Sequence, residues 1–208
     1  MAFWGSGVRA PYSPPFSFGV TLRNKTRKQR YNEKMKNADS FPISITTINF
    51  HCDENLGYII RSAACFGAEC VNVIGCIPDR RELRKLSGSL LDYVELRQFK
   101  NPEDFLKDCR EQGIKLVSAE LTSTADNLED YDFDLNRRTS VIVGNETTGV
   151  PQQLIVNSDP VYIEMPGVGY CLNTAQAANI MLYEAVRQFK KQKNFCDSFN
   201  RHRETMIA

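Results

Sequence analysis

The stretch FPISITTINFHCDENLGYIIRSAACFGAECVNVIG, residues 41–75, decides the fold class of this chain. It begins and ends with short β-branched runs, at residues 43–48 and 71–75, which are typical of buried strands. Between them, apolar side chains recur at helix spacing until Gly67 interrupts the pattern. The members of this apolar stripe are Leu56, Ile59, Ile60 and Ala63. A strand, a helix and a second strand in this order predict a βαβ unit with parallel strands.

The same alternation continues beyond residue 75. We predict helices near residues 80–90, 103–112 and 151–156, and strands near residues 94–99, 115–121, 140–144 and 161–165. An acidic loop is expected at residues 126–134, and a long last helix is expected after Asn173, with Gln176 three residues on as in a capping box. These elements predict one α/β domain with a mainly parallel sheet. We place that domain at residues 41–193, between a basic, aromatic-containing arm at residues 1–40 and a basic tail at residues 194–208.

The net charge of +1 hides an uneven distribution of charge along the 208 residues. Residues 1–40 carry a charge of +6 and residues 187–208 carry +4, whereas the chain between them carries −9. The net charge by itself gives no reason to expect a polyanionic partner. Two basic ends around an acidic body are compatible with one. With 42% apolar and 25% charged residues, the composition predicts a soluble domain, because no apolar run approaches the roughly 18 residues of a membrane span.

Cysteine and histidine usage argues against two further classes of protein. The seven cysteines include no CxxC pair, and there are only two histidines, so neither a disulfide framework nor a zinc site is indicated and we expect no metal. A reducing compartment, and therefore a cytoplasmic location, fits this pattern best. The first acidic residue is Glu33, which leaves an organelle-targeting segment open as an alternative.

Three predicted strand ends carry unusual turns. They are HCDEN at residues 51–55, GNETTG at residues 144–149 and PGVGYCLN at residues 166–173. Ligands of open parallel sheets bind beyond the carboxyl ends of the strands. None of these turns is a P-loop or a GxGxxG motif, so a nucleotide triphosphatase or an ordinary dinucleotide enzyme is disfavoured. On composition alone, two of them remain equally compatible with simple tight turns.

Together the three segments resemble the SpoU/TrmH branch of the SPOUT methyltransferases. NLGYIIR at residues 55–61, with the following Phe66-Gly67, is similar to the first motif of the branch, VGNETTGV at 143–150 to the second and IEMPGVGYCLN at 163–173 to the third. The resemblance covers about residues 41–190 in the right order. It implies a SPOUT-type parallel sheet with a C-terminal trefoil knot and helices on both faces, a homodimer, and S-adenosylmethionine as cofactor. The implied reaction is methylation of a ribose 2′-hydroxyl in tRNA or rRNA, and the short arms lean towards tRNA.

The resemblance places Arg61 at the reacting hydroxyl, across the dimer interface. Because a guanidinium stays protonated, we expect Arg61 to hold a phosphate and to stabilise charge on the ribose oxygen, while the proton acceptor stays unassigned. Asn55, Glu146 and Asn173 complete the expected catalytic set. Three of them have a structural alternative: Arg61 as a surface residue of an amphipathic helix, Asn55 as a helix cap after residues 53–54, and Glu146 as a cap of the helix that starts near Pro151. Asn173 is expected to be both a helix cap and a site residue.

The resemblance also implies a cofactor site around the turns. Its expected residues are Glu120, Leu121, Gly144, Asn145, Gly149, Ile163, Met165, Gly167, Cys171 and Leu172. Two positions depart from the family pattern, because Glu164 stands where proline is usual and Cys171 where serine is usual. We expect Glu164 to loosen or repack the cofactor loop and Cys171 to orient a catalytic residue less strongly than serine. An RNA-binding dimer of the same fold without catalysis is therefore an alternative, and methylation of a base is a less favoured one.

Basic residues in two segments are candidates for contact with RNA phosphates. They are Arg23, Lys25, Arg27, Lys28 and Arg30 in the arm, and Arg80, Arg81 and Arg84 after the second strand. A solvated helix face is the alternative for the second group. The aromatic residues of the arm are expected to pack on the body rather than to stack on bases.

Overall fold

The computed structural model describes residues 25–134 and 136–192. The chain divides into a unit of Asn37–Phe195 and a second unit made from Met1–Lys36 and Cys196–Ala208. In the second unit, the described helix is α1 (Arg27–Met35), which Thr26 caps in a reciprocal capping box with Gln29. None of its residues is buried, so α1 presents its basic side chains to solvent.

The larger unit contains one seven-stranded sheet in which every strand pair is parallel. The strands are β1 (Phe41–Ile48), β2 (Ala68–Ile74), β3 (Glu95–Phe99), β4 (Lys115–Ala119), β5 (Asp126–Asn127), β6 (Thr139–Val143) and β7 (Asp159–Tyr162). Their order across the sheet is β3-β2-β1-β6-β4-β7-β5. The helices are α2 (Asp53–Phe66), α3 (Arg80–Leu86), α4 (Pro102–Gln112), α5 (Gln152–Ile155) and α6 (Thr174–Gln192), with a 3₁₀ turn at Leu91–Tyr93.

Helices cover both faces of the sheet. Successive side chains of a strand point to opposite faces, so each strand contributes to two cores. Val141 and Val143 of β6 belong to a core shared with α2, α3 and α6. Ile142, between them, belongs to a second core shared with α4 and α5. The α/β class and the parallel sheet predicted from the sequence are therefore confirmed.

Several predicted boundaries differ from those observed, and each difference has a local cause. The strand predicted at residues 161–165 lies at Asp159–Tyr162, because its neighbour β4 ends at Ala119 and offers no partner beyond Val161. The helix predicted near residues 80–90 ends at Leu86, because two residues with left-handed backbone follow shortly after it. The acidic loop contains a two-residue strand, β5, which is too short to give a periodic signal.

The described helices include none that is long and apolar enough to cross a membrane. The feature that matters for function is the edge where β1 and β6 end. Helix α6 returns to this edge after β7 and packs against α2, β1 and β6. The first and second motifs thereby meet the start of the last helix, and the candidate site lies at this junction.

Candidate active site

Three polar residues from distant parts of the sequence form one hydrogen-bonded chain. The side-chain amide of Asn55 donates to Glu146 Oε1 at 2.7 Å. Asn55 Oδ1 accepts from the side-chain amide of Asn173 at 3.0 Å. Asn55 is only 4% exposed, so its side chain has a single defined environment. The structure thus brings together three of the four residues that the sequence predicted as catalytic.

Glu146 also fixes the start of α2. Its carboxylate accepts hydrogen bonds from the backbone amides of His51, at 3.0 Å, and Cys52, at 3.3 Å. Partial burial raises the pKa of this carboxyl, but the hydrogen bonds from the His51 amide, the Asn55 side chain and the Cys52 amide outweigh burial and leave the pKa below its ordinary value. Glu146 is therefore an anion held by donors at a helix N-terminus. The structural alternative for Glu146 was a cap of the helix near Pro151, which is α5, but its carboxylate lies at the N-terminus of α2.

Asn173 both caps α6 and belongs to the hydrogen-bonded chain. Its Oδ1 accepts from the backbone amides of Ala175, at 2.9 Å, and Gln176, at 3.4 Å, so it caps α6 while its amide reaches Asn55. The next residue, Thr174, donates its hydroxyl to the Gly144 carbonyl at 2.9 Å. The third motif is therefore joined to both of the others.

Asn145 builds the turn of the second motif. Its side-chain amide donates to the Asn49 carbonyl at 2.5 Å, and its Oδ1 accepts from the amides of Thr147 and Thr148. Backbone hydrogen bonds in both directions join Asn145 to Gly149. The side chain of Asn145 is buried, and both its side chain and its backbone polar groups are committed to these contacts, so Asn145 shapes the turn. The sequence did not predict a role for Asn49, whose φ is +42°. Its contact is made by a backbone carbonyl, and such a contact leaves no pattern in the sequence.

Two glycines and Glu120 make this turn compact. A Cβ on Gly144 would lie 2.5 Å from the carbonyl carbon of Gly149, and Gly149 has φ of +67°. Glu120 Oε2 accepts from the Val150 amide at 2.9 Å and would lie 2.8 Å from a Cβ on Gly149. The turn therefore needs glycine at both positions, and Glu120 fastens it from the end of β4.

The loop between β7 and α6 forms an open rim beside this turn. Val168 and Tyr170 are each 96% exposed, and a Cβ on Gly167 would meet nothing within 4 Å. Ile163, Met165 and Leu172 are half-buried, whereas Leu121 and Cys171 are exposed. Glu164 accepts a hydrogen bond from the Asn127 side chain at 3.0 Å, which ties the rim to β5.

Arg61 lies apart from the hydrogen-bonded chain. It is exposed, as expected from its position off the apolar stripe of α2, and within the described residues it makes no hydrogen bond or ion pair. Its guanidinium lies near Gly88, in the turn after α3, where a Cβ on Gly88 would stand 3.5 Å from Nη1. A single copy of the chain therefore does not assemble all four predicted catalytic residues.

The predicted RNA-contacting residues have different surroundings. Arg80 and Arg84 of α3 both donate to Asp92 Oδ1 at 2.9 Å. In the arm, Lys25 pairs with Glu33 at 3.0 Å. Arg27, Lys28 and Arg30 are exposed on α1, Arg81 is exposed on α3, and Arg23 lies outside the described residues. Among the residues that the structure describes, no cluster of side chains has the composition of a metal site.

Comparison with known proteins bears on this geometry. The model of the SpoU rRNA Methylase family matches residues 42–183. The chain is 35% identical over 140 residues to 23S rRNA (uridine(2479)-2′-O)-methyltransferase from Streptomyces viridochromogenes, covering 64% of this chain and 48% of that protein. It is 25% identical over 166 residues to tRNA (guanosine(18)-2′-O)-methyltransferase from Escherichia coli K12, covering 79% and 71%. The chain thus spans about half the length of the first relative and more of the second.

Solved structures show the same fold. The crystal structure of the A. aeolicus TrmH/SpoU tRNA modifying enzyme matches with a TM-score of 0.68 at 22% identity, over 80% of this chain and 85% of that one. The SpoU methyltransferase AviRb from Streptomyces viridochromogenes, in complex with AdoMet, matches with a TM-score of 0.61 at 31% identity, over 73% and 58%. Because the family model spans more than half of the chain and all three turns, this chain belongs to the SpoU rRNA methylase family.

Proposed function

We propose that this chain is an S-adenosylmethionine-dependent RNA methyltransferase that modifies the 2′-hydroxyl of a ribose in tRNA or rRNA. The observation that carries the proposal is the chain of hydrogen bonds from Glu146 through Asn55 to Asn173, which unites the three motifs at one edge of the sheet. Family membership agrees with it. The names of both relatives describe 2′-O-methylation, of rRNA in one case and of tRNA in the other.

The residues at the rim fit this cofactor. A sulfonium cation favours nearby carboxylates, and an adenine ring favours exposed apolar surface with backbone groups at its edge. Glu120 supplies a carboxylate beside the glycine turn, and Leu121, Ile163 and Leu172 supply apolar surface. The residues that would hold the cofactor are Glu120, Leu121, Gly144, Asn145, Gly149, Ile163, Met165, Gly167, Cys171 and Leu172. When bound, S-adenosylmethionine supplies an electrophilic methyl group.

The residues of the chain contribute position and charge to the reaction. Asn55 presents its amide between two fixed neighbours, because Glu146 orients one end and Asn173 the other. Glu146 uses its carboxylate to hold Asn55 and the start of α2, so it acts through Asn55 and is not the proton acceptor in this proposal. Arg61 stays charged, holds a phosphate of the RNA and stabilises negative charge that develops on the ribose oxygen.

Dimerisation would complete the site, because within one copy Arg61 has no hydrogen bond to Asn55, Glu146 or Asn173. Exposed aromatic and aliphatic side chains on α2 and α6 support a self-association surface: Tyr58 on α2, and Ile180 and Tyr183 on α6. Tyr183 also packs edge-on against Phe66 at 6.2 Å between ring centroids, which joins the two helices at this surface. Sedimentation of the full chain should show a dimer, and a monomer at micromolar concentration would contradict this part of the proposal.

A trefoil knot in the C-terminal part of the fold is also proposed. Support comes from the path of the chain: β6 is inserted between β1 and β4, and after β7 the chain returns past the Asn145–Gly149 turn to α6. A crystal structure of the chain would test the threading, and an unthreaded loop at residues 163–173 would remove the knot.

The decisive experiment uses labelled S-adenosylmethionine with separate tRNA and rRNA fractions, followed by mapping of the 2′-O-methyl site. Arg61→Ala should lose turnover while it keeps the dimer and the affinity for S-adenosylmethionine. Arg110→Ala, at an exposed arginine on α4 on the other side of the sheet, is the matched control and should keep full turnover. Calorimetry that shows no cofactor binding to a folded dimer would refute the enzyme and favour an RNA-binding protein without catalysis.

The basic arm is proposed to bind RNA phosphates. Removal of residues 1–36 deletes the cations of α1, and it should weaken RNA affinity and flatten its salt dependence because fewer counterions are released. Affinity for S-adenosylmethionine should stay the same. Unchanged RNA affinity would assign the arm a structural role.

A reducing compartment, such as the cytoplasm, is the proposed location. Cys52, Cys65, Cys76 and Cys171 are exposed free thiols, which persist where glutathione keeps cysteines reduced. Imaging of a tagged full-length protein tests this, and localisation to an organelle would identify the acid-free N-terminus as a targeting segment.

A further inference from the structure

A cavity lies beside the candidate active site, near the ends of β1 and β2. Thr47, the second-last residue of β1, and Val73, the second-last residue of β2, both line it. Ligands of parallel sheets usually bind at the carboxyl ends of the strands. The cavity has a volume of about 200 Å³, below the roughly 300–1,000 Å³ of sites for drug-sized ligands. Its size therefore suits a single flat ring system rather than a whole nucleotide.

One short segment of the chain connects this cavity with the candidate site. Every third residue of the segment 50–56 lines the cavity, namely Phe50, Asp53 and Leu56. Three of the residues between them donate hydrogen bonds to Glu146, at 2.7, 3.0 and 3.3 Å. The cavity and the hydrogen-bonded chain are thus separated only by this segment. Since a base is bonded directly to its ribose, a nucleotide whose ribose lies at Asn55 can place its base in the cavity.

The cavity has apolar walls with fixed positions. Leu56 and Val73 are buried members of the core, and the half-buried side chains of Phe50 and Ile77 pack against that core. Close packing of this kind holds the walls in place before a ligand binds. A base that has left its stack in RNA binds favourably to aromatic side chains, and Phe50 offers such a ring.

Two exposed carboxylates, Asp53 and Asp79, complete the lining. Asp79 caps α3 through Oδ1, which accepts from the backbone amides of Arg81 and Glu82 at 2.8 and 3.4 Å, so these bonds leave its Oδ2 for a ligand. Carboxylates accept hydrogen bonds and donate none. The cavity therefore favours a ring with N–H donors along its edge. Guanine presents two neighbouring donors on its Watson–Crick edge, whereas uracil presents one.

We propose that this cavity binds the guanine base of the nucleotide that is methylated, and that Asp53 and Asp79 determine this specificity. The base stacks on Phe50, and its two neighbouring donors share the carboxylate of Asp53. This inference rests on the proposed function, because the RNA substrate is the ligand that it assigns to the cavity. It adds the choice of base, which the three motifs do not explain.

The test follows alkylation by iodoacetamide of the Cys76 thiol, which is exposed and lines the cavity. The full chain is mixed with one of two short single-stranded RNAs of equal length, one of uridine only and one with a single central guanosine. Both present the same phosphates, so a difference between them reports the base. The guanosine-containing RNA should protect Cys76 at a concentration about fivefold or more lower, the selectivity typical of a bidentate contact with a base edge. Cys65, an exposed thiol of α2 that does not line the cavity, should react at the same rate with either RNA.

Asp53→Asn and Asp104→Asn are a matched pair of variants. Both aspartates are exposed in the first turn of a helix, α2 and α4, so both variants lose a similar interaction with the helix dipole. Helix α4 packs on the other face of the sheet. Asp53→Asn should reduce the preference for the guanosine-containing RNA to less than about twofold, because a single lost base contact accounts for it, whereas Asp104→Asn should keep it. Asp79→Asn retains a helix cap, since asparagine caps as well as aspartate, and should weaken the preference without unfolding the chain.

Equal protection by the two RNAs, no protection by either, or a preference that Asp53→Asn keeps would overturn the base site. Protection of Cys76 by S-adenosylmethionine alone would also overturn it, because the cofactor would then occupy the cavity. Mapping of the transferred methyl group to a nucleotide other than guanosine would do the same and leave the proposed function intact. A chain that prefers the guanosine-containing RNA but transfers no methyl group to any RNA would instead support the base site and refute the proposed function.

Discussion

Replacement of Asn55 by aspartate should make the stability of the site depend on pH. Aspartate retains the oxygen that accepts from Asn173 but replaces the amide that donates to Glu146 at 2.7 Å with a second carboxylate oxygen. The new carboxylate, in a position that is 4% exposed in the native chain, then faces the exposed carboxylate of Glu146. Either one of them takes up a proton or the site bears their mutual repulsion, because like charges at this separation cannot both ionise freely.

The magnitude follows from comparison of these two routes. Repulsion at 4 Å costs about 4 kcal/mol at an effective dielectric constant of 20, in addition to about 1.5–3 kcal/mol for the lost charged hydrogen bond. Protonation of a carboxyl at pH 7, about three units above its usual pKa, costs about 4 kcal/mol and restores the hydrogen bond. The route that costs less free energy determines how much stability the Asn55→Asp variant loses. Because Glu146 is partly solvated, we expect its free energy of unfolding to fall by about 3 kcal/mol, or its melting temperature by about 6–12 °C.

At pH 5 protonation of one carboxyl costs only about 1.4 kcal/mol, so the decrease in melting temperature of the Asn55→Asp variant should shrink to about 2–5 °C. The aspartate has its folded-state pKa raised, so its penalty is absent at low pH and grows as the pH rises above the unfolded pKa. Native Glu146 has the opposite dependence: its lowered pKa contributes stability that is present above the unfolded pKa and lost as the pH falls through the folded pKa. Between about pH 5 and 7.5 that contribution stays nearly constant.

Thermal unfolding followed by circular dichroism at about pH 5.0 and 7.5, at one protein concentration, measures the effect. Asn55→Ala is the control, since it loses both hydrogen bonds without adding a titrating group, and its deficit should be the same at both pH values. A deficit of Asn55→Asp that does not shrink at the lower pH, or a variant as stable as the native chain at the higher pH, would refute the hydrogen-bonded contact between Asn55 and Glu146.

Three further outcomes are expected. Gly57→Ala should lose about 1–3 kcal/mol, seen as a lower denaturation midpoint in urea, because its methyl group overlaps Leu86; an unchanged midpoint would contradict the close approach. Burial raises the pKa of Tyr131 to about 12, so its phenol should contribute stability below about pH 10 that is lost as pH rises towards 12. Because the chain has eight tyrosines, the measurement is the difference in phenolate absorbance between the native chain and Tyr131→Phe, and a difference that appears near pH 10 would contradict this. Cys171→Ser should keep or raise methyl transfer, measured with labelled cofactor, since a hydroxyl donates a stronger hydrogen bond than a thiol; a large loss would show that the thiol has a role of its own.

The fold class was predictable because its signals are local. The β-branched runs before and after α2, and the apolar stripe that ends at Gly67, have the periods of strand and helix, and Gly67 takes the left-handed conformation of a helix end. Element boundaries were less predictable. The end of β7 depends on where its neighbour β4 stops, which is a property of pairing and not of the residues 163–165 themselves.

The candidate site was partly predictable. Asn173 showed both of its roles in the sequence, as a cap and as a motif residue, because a cap leaves a local signature. For Glu146, the structural alternative to a site role was a cap of the nearest helix in sequence, but its carboxylate holds the start of α2 at His51, 95 residues earlier in the chain. Contacts of that range carry no periodic signal, so only the folded chain reveals them.

By itself, the sequence determined the α/β class, the three turns at strand ends, the basic ends of the chain and the resemblance that identifies the family. Tertiary structure decided how those turns meet: the order of the strands puts β6 beside β1 and returns α6 to the same edge, so that Asn55 lies between Glu146 and Asn173. It also decided that Arg61 is not a member of that chain of hydrogen bonds. The reason is physical, because periodicity and caps arise from neighbours in sequence, whereas a buried polar contact exists only once packing removes water from both partners.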